Sequence, residues 1–149
     1  MPSFRTSSIA ACAALIAFTS IPPADAETIY TGSKLKALMP GAILNTDDGS
    51  DCDYRKISLN PDGTLAADKE CRDSGFTGEK FWSTKGKWAI KEDSVCLNYD
   101  DWADDNDCWT FRNKHVGFSM QASKSGSVWD VSLQHPKYPD QDAIKAALK

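Results

Sequence analysis

The densest group of possible metal ligands in the sequence is the run Asp100-Asp101-Trp102-Ala103-Asp104-Asp105-Asn106-Asp107. Calcium takes six to eight oxygen ligands, and clustered carboxylates supply them. The spacing is not that of an EF-hand loop, however, and no glycine sits at the turn. The run therefore reads as the solvated tip of a hairpin, and neither metal nor cofactor is expected. Asp47-Asp48-Gly49-Ser50-Asp51-Cys52-Asp53 reads the same way. Trp102 lies within the acidic tip, where an aromatic side chain has two uses. It folds back onto the body of the protein, or it stays exposed and stacks on a sugar or anchors a partner.

Other reactive side chains form no catalytic set. His115 and His135 lie beside turns, with no Ser, Cys or carboxylate in a nucleophile motif, and surface positions are expected for both. Glu79 or Glu92 could work with an aspartate as a hydrolytic pair, but any acidic chain offers such pairs. Ser125-Gly126-Ser127 has the composition of an ordinary hairpin turn. The expectation is a protein that binds and does not catalyse.

The 149 residues suffice for one domain, and the first 26 are not expected to belong to it. Arg5 supplies a positive start, residues 9–18 a short apolar core, and Ala24-Asp25-Ala26 a small-x-small cleavage site. This is the pattern of a secretory signal peptide, shorter than the roughly 20 apolar residues of a membrane span. Cys12 lies inside the apolar core without a lipobox, which argues against a lipid anchor. The mature domain would be residues 27–149, in the periplasm or secreted. The formal net charge is −4. With no basic patch interleaved with aromatics, nucleic acid is not an expected partner.

Beyond the leader, Cys52, Cys71, Cys96 and Cys108 remain. An even number in an exported chain implies disulfides, and the absence of Cys-x-x-Cys argues against zinc. Each pair, Cys52–Cys71 and Cys96–Cys108, brackets a hairpin turn nearly symmetrically. If Cys96 faces Cys108, Val95 faces Trp109. Period-2 alternation then collects Val95, Leu97, Trp109 and Phe111 on one face. Around Asn60-Pro61-Asp62-Gly63 the two criteria disagree by one residue. A two-residue loop puts Cys52 opposite Cys71, whereas the apolar pattern pairs Leu59 with Leu65 and Ile57 with Ala67. A bulge would reconcile them.

Those hairpins belong to a longer series. Residues 31–41 read as a short helix, capped by Thr31 or Ser33, stopped by Pro40-Gly41, and apolar at Leu35, Leu38 and Met39. Such a stripe must plug or flank a sheet. Strands follow at 42–45, 54–60, 64–68, 82–90, 95–99 and 108–111, then at 116–122 with Val116, Phe118, Met120 and Ala122 alternating, and at 129–133. Trp82, Trp88, Trp109 and Trp129 fall on the apolar alternation and are assigned to the core. Asp140 can cap a last helix bearing Ile144, Ala147 and Leu148. The fold class expected is all-β, an antiparallel meander of about eight strands forming a small calycin-like barrel, with short N- and C-terminal helices.

A Thr-Gly-x-x-Leu-x-x-Leu-x-Pro-Gly start, an Asp-Gly hairpin, Gly86-Lys87-Trp88, and successive Cys96-Leu97 and Cys108 strands occur together behind the leader. In combination they resemble a family of small exported proteobacterial proteins without assigned function, over roughly residues 30–133. The resemblance implies a fold and a compartment, and brings no catalytic residues. Cys52 and Cys71 depart from its simplest pattern. Gly86-Lys87-Trp88 is also similar to the lipocalin Gly-x-Trp, which in lipocalins opens the first strand. Ser125-Gly126 is similar to the Ser-Gly loop that periplasmic c-type lysozyme inhibitors insert into an enzyme cleft. Two uses follow. One is a binder of a small molecule or glycan at the barrel mouth through Trp102. The other is a protein-interaction or inhibitor module acting through the hairpin at Ser125 and Gly126.

Overall fold

A computed structural model describes residues 28–49, 54–71, 81–114 and 116–149. The strands are β1 (Ile43–Asp47), β2 (Tyr54–Leu59), β3 (Thr64–Glu70), β4 (Phe81–Lys91), β5 (Ser94–Tyr99), β6 (Asp107–Asn113), β7 (Phe118–Ala122) and β8 (Val128–Gln134). Helices α1 (Gly32–Leu38) and α2 (Gln141–Ala147) precede and follow them. Each strand pairs antiparallel with the next, and β8 returns to β1, so the eight close into a barrel. Closure leaves no sheet edge to template aggregation.

The register follows the apolar alternation. Cys96 stands opposite Cys108 and Val95 opposite Trp109. Val95, Leu97, Trp109 and Phe111 are all buried, and the Cys96–Cys108 disulfide is formed. In the β2–β3 hairpin the apolar register prevails, with Ile57 opposite Ala67 and Leu59 opposite Leu65. Gly63, at φ 85°, supplies the left-handed residue of a three-residue loop, which shifts the pairing by the one step that separates the two readings. Cys71 is disulfide-bonded as well. Cys52, its expected partner, lies outside the described residues.

An eight-stranded barrel is just wide enough for side chains to fill it. Leu44, Ile57, Leu65, Leu97, Phe111 and Met120 do so with almost no exposure. Gly86 is demanded by close approach, since a Cβ there would lie 2.0 Å from the carbonyl oxygen of Asn98 on β5. Beside it, Trp88 donates its indole N–H to the Asn60 carbonyl at 2.8 Å.

The barrel has two unlike ends. Helix α1 packs on β4 and β5 with Leu35, Leu38 and Met39 buried, and α2 docks on β8 through Ile144 and Leu148. The α2 cap is the expected one, Asp140 accepting from the Ala143 N–H at 2.8 Å. The α1 cap is not. Thr31 makes no side-chain cap bond, and the Gly32 N–H is taken by Asp93 of the β4–β5 turn at 2.6 Å.

Three further assignments from sequence are corrected. Trp82 is 44% exposed rather than core. It keeps the inward parity of β4, but pairing with β5 stops at Gly86–Tyr99 and Trp82 stands beyond that rim. Val116 is exposed and precedes β7, which begins at Phe118. His135 is buried rather than on the surface. Its Nε2 lies 3.1 Å from the Pro40 carbonyl, Nδ1 accepts from the Lys137 N–H, and its ring packs on Tyr138.

Candidate ligand site at the barrel mouth

Among the described residues, the barrel end away from the helices holds the end of β1, the start of β2, the end of β3, the start of β4, and the β5–β6 and β7–β8 connections. At its floor lies Arg55, a cation only 1% exposed. Arg55 shares its inward parity with Ile57 and Leu59, so the strand that builds the core also carries a guanidinium into it. Burying such a charge is expensive unless it is paired and hydrogen-bonded. Arg55 Nη1 lies 3.1 Å from Asp105 Oδ2, and its guanidinium sits over Trp129 at 4.5 Å and Trp102 at 5.8 Å from the ring centres. A planar guanidinium suits both partners, since it stacks on aromatic faces and keeps its in-plane donors for carboxylates.

The acidic run supplies two of the Arg55 partners, Asp105 and Trp102, by folding back. Residues Ala103–Asp105 form one 3-10 turn. Asn106 Oδ1 accepts from the Tyr99 N–H at 2.5 Å, and Thr84 Oγ1 accepts from the Asp101 N–H at 3.2 Å. Trp102 packs against the core, 5.4 Å from the ring of Tyr99. Of its two expected uses the inward one is observed, and its work is to cover Arg55. Among the described residues no group of three or more His, Cys, Asp or Glu could hold a metal ion.

The β7–β8 connection faces the acidic loop and is bonded to it. Asp107 accepts from the Lys124 N–H at 3.0 Å, Lys124 Nζ donates to the Asn106 carbonyl at 2.5 Å, and Cys108 O accepts from the Ser123 N–H and hydroxyl. Ser125 and Ser127 bond to each other at 2.9 Å, and both they and Gly126 are exposed.

Between the two connections lies a cavity of about 280 Å³. Arg55, Trp109 and Trp129 line it from within, and Asp48, Asp104, Asp105, Asp107, Lys124, Ser125 and Ser127 line its rim. Trp109 and Trp129 pack with ring centres 4.2 Å apart. The indole Nε1 of Trp109 is buried and has no hydrogen-bond partner among the described residues.

No family model, curated protein or solved structure matches the chain. The site is therefore read from its own geometry. Of the residues singled out in the sequence, Ser125 lies on the cavity rim, Gly126 at the exposed tip beside it, and Trp102 behind Arg55. Glu92 is exposed in the β4–β5 turn, while Glu79 and His115 lie outside the described residues. Sequence reading missed Arg55, Trp109 as a cavity wall, and Lys124. A usable signal existed for Arg55, because a charged residue on the apolar parity of an alternating strand points inward.

Proposed function

We propose that the chain is an exported, non-catalytic binding module, periplasmic or secreted after removal of residues 1–26, that holds a small molecule or glycan at the barrel mouth. The observation that carries this reading is the mouth cavity floored by buried Arg55 and walled by Trp109 and Trp129. Small-ligand sites are concave, largely apolar and equipped with a few convergent polar groups. The interior below the mouth is filled by side chains, so the ligand is small and held at the end of the barrel. Resemblance to small exported proteobacterial proteins supports the compartment, as does the Ala24-Asp25-Ala26 site. Native mass spectrometry of protein recovered undenatured from the exported fraction tests the reading. A bound species of a few hundred daltons that is lost in Arg55→Met supports it. A bare mass, with no change of the mouth resonances on adding exported small molecules, overturns it.

A second reading, a protein-interaction or lysozyme-inhibitor-like module, is favoured by the β7–β8 hairpin. Its tip at Ser125 and Gly126 is exposed while its base is fixed to β6 by the bonds of Ser123 and Lys124. Inhibition of a c-type lysozyme that disappears in Gly126→Trp would favour this reading over the first.

A further inference from the structure

Resting on the reading of the mouth as the binding site, we infer that the ligand presents one uncharged, hydroxyl-bearing ring of monosaccharide size, with an oxygen accepting the indole N–H of Trp109. Charge is the first ground. Among the described residues the lining holds two cations against four carboxylates, so an anion meets a net negative rim there. Arg55 already has Asp105 at 3.1 Å and Trp129 against its plane. A cationic ligand would meet the Arg55 guanidinium at the floor, beside the aromatic walls that would otherwise attract it. An uncharged ligand avoids both repulsions.

Hydrogen bonding is the second ground. Buried N–H groups are almost always paired, and the Nε1 of Trp109 has no partner among the described residues. The ligand must therefore bring an acceptor. The other walls want both roles, since Asp104 and Asp105 accept and Lys124 donates. Each hydroxyl group both donates and accepts, and a ring carrying several of them satisfies all these walls from one position. Volume is the third ground. About 280 Å³ lies just below the range of roughly 300–1,000 Å³ for drug-sized ligands, which admits one ring and leaves the rest of a longer glycan in solvent. The apolar C–H edges of such a ring would lie on the indole edges of Trp109 and Trp129.

The test is a proton–nitrogen correlation titration of labelled protein. It follows the five tryptophan indole signals, with that of Trp109 assigned by its loss in Trp109→Phe. The probes are methyl β-D-glucopyranoside, N-acetylglucosamine, sodium acetate, inorganic phosphate and tetramethylammonium. The expected result is a saturable shift of the Trp109 indole proton with a sugar and none with the three ions. Trp109→Phe should weaken that binding about tenfold, the worth of one hydrogen bond. Should that variant fail to fold, assignment of the indole through its proximity to Trp129 lets the wild-type titration decide. Saturation by acetate, phosphate or tetramethylammonium instead of a sugar would overturn the inference while keeping the mouth as the site. Silence with every probe would also overturn it, and the mouth then stands or falls on mapping with native small molecules.

Discussion

Arg55 and Asp105 are unequal partners, which makes their substitutions informative. Arg55 is 1% exposed, whereas the Asp105 side chain is 36% exposed and keeps much of its hydration. Removing the carboxylate leaves a guanidinium in a low-dielectric site, held by Trp129 and Trp102 with less charge compensation. Removing the guanidinium leaves a carboxylate that water can reach. Breaking a fully buried pair from one side costs about 3–5 kcal/mol, and the exposure of Asp105 reduces that figure here. The expected outcome in urea unfolding is a loss of about 1–2 kcal/mol for Asp105→Asn, with Arg55→Met within about 1 kcal/mol of the parent because the methionine refills the stem volume. A larger loss for Arg55→Met than for Asp105→Asn would mean that the cation itself holds the barrel end together. Tyr30 makes a separate pH statement. It is 3% exposed and packs 6.0 Å from Phe118, and burial pushes its hydroxyl above the usual range near 10. A raised folded value means that the native state keeps the proton longer than the unfolded chain. The associated stability is complete below about pH 10 and is lost as pH rises from there toward the folded value. Tyr30→Phe should therefore flatten the fall of melting temperature above pH 10, and an unchanged alkaline slope would show that Tyr30 has no part in it.

At the level of elements, the β5–β6 hairpin decides the shape of the mouth. Its connection carries Trp102 and Asp105, and the Cys96–Cys108 disulfide clamps the strands just below it. The sequence separation of the bridge is 12, so in the loop-entropy model it contributes on the order of 3 kcal/mol. That is a large part of the roughly 5–15 kcal/mol by which small domains exceed unfolding. Cys96→Ser with Cys108→Ser should lower stability by about that amount in urea unfolding. It should also speed hydrogen exchange of the Tyr99 and Asp101 amides, which hold the loop through Asn106 and Thr84. Unchanged exchange there would mean that side-chain bonds alone fix the loop. This hairpin was legible in the sequence because two independent signals, cysteine spacing and apolar parity, gave the same register. The β2–β3 hairpin was ambiguous because its signals differed by one residue, and the left-handed Gly63 that separates them is a backbone fact. Trp82 and Val116 were misread for one reason. Alternation tells which side of a strand a residue occupies but not where the neighbouring strand ends.

For the molecule as a whole, eight strands, two helices and their order could be read from turn chemistry and period-2 alternation, because a closed antiparallel meander keeps sequence neighbours adjacent in space. The mouth could not be read in that way. It joins Arg55, Trp109, and the pair Lys124 and Trp129 from three separate stretches, and only barrel closure brings them together. The end-to-end asymmetry is likewise a property of the closed fold, since α1 and α2 pack at one end with Leu35, Leu38, Met39 and Ile144, away from the mouth. That asymmetry gives the proposed ligand site a definite place. The most direct measurement is chemical-shift mapping on labelled protein with a small-molecule extract of the compartment proposed for it. The expected result is saturable shifts confined to Arg55, residues 102–109 and residues 123–129. Shifts confined to the opposite end, in the groove between His135, Tyr138 and Ile144, or no saturable shift at any residue, would contradict the assignment of the mouth as the binding site.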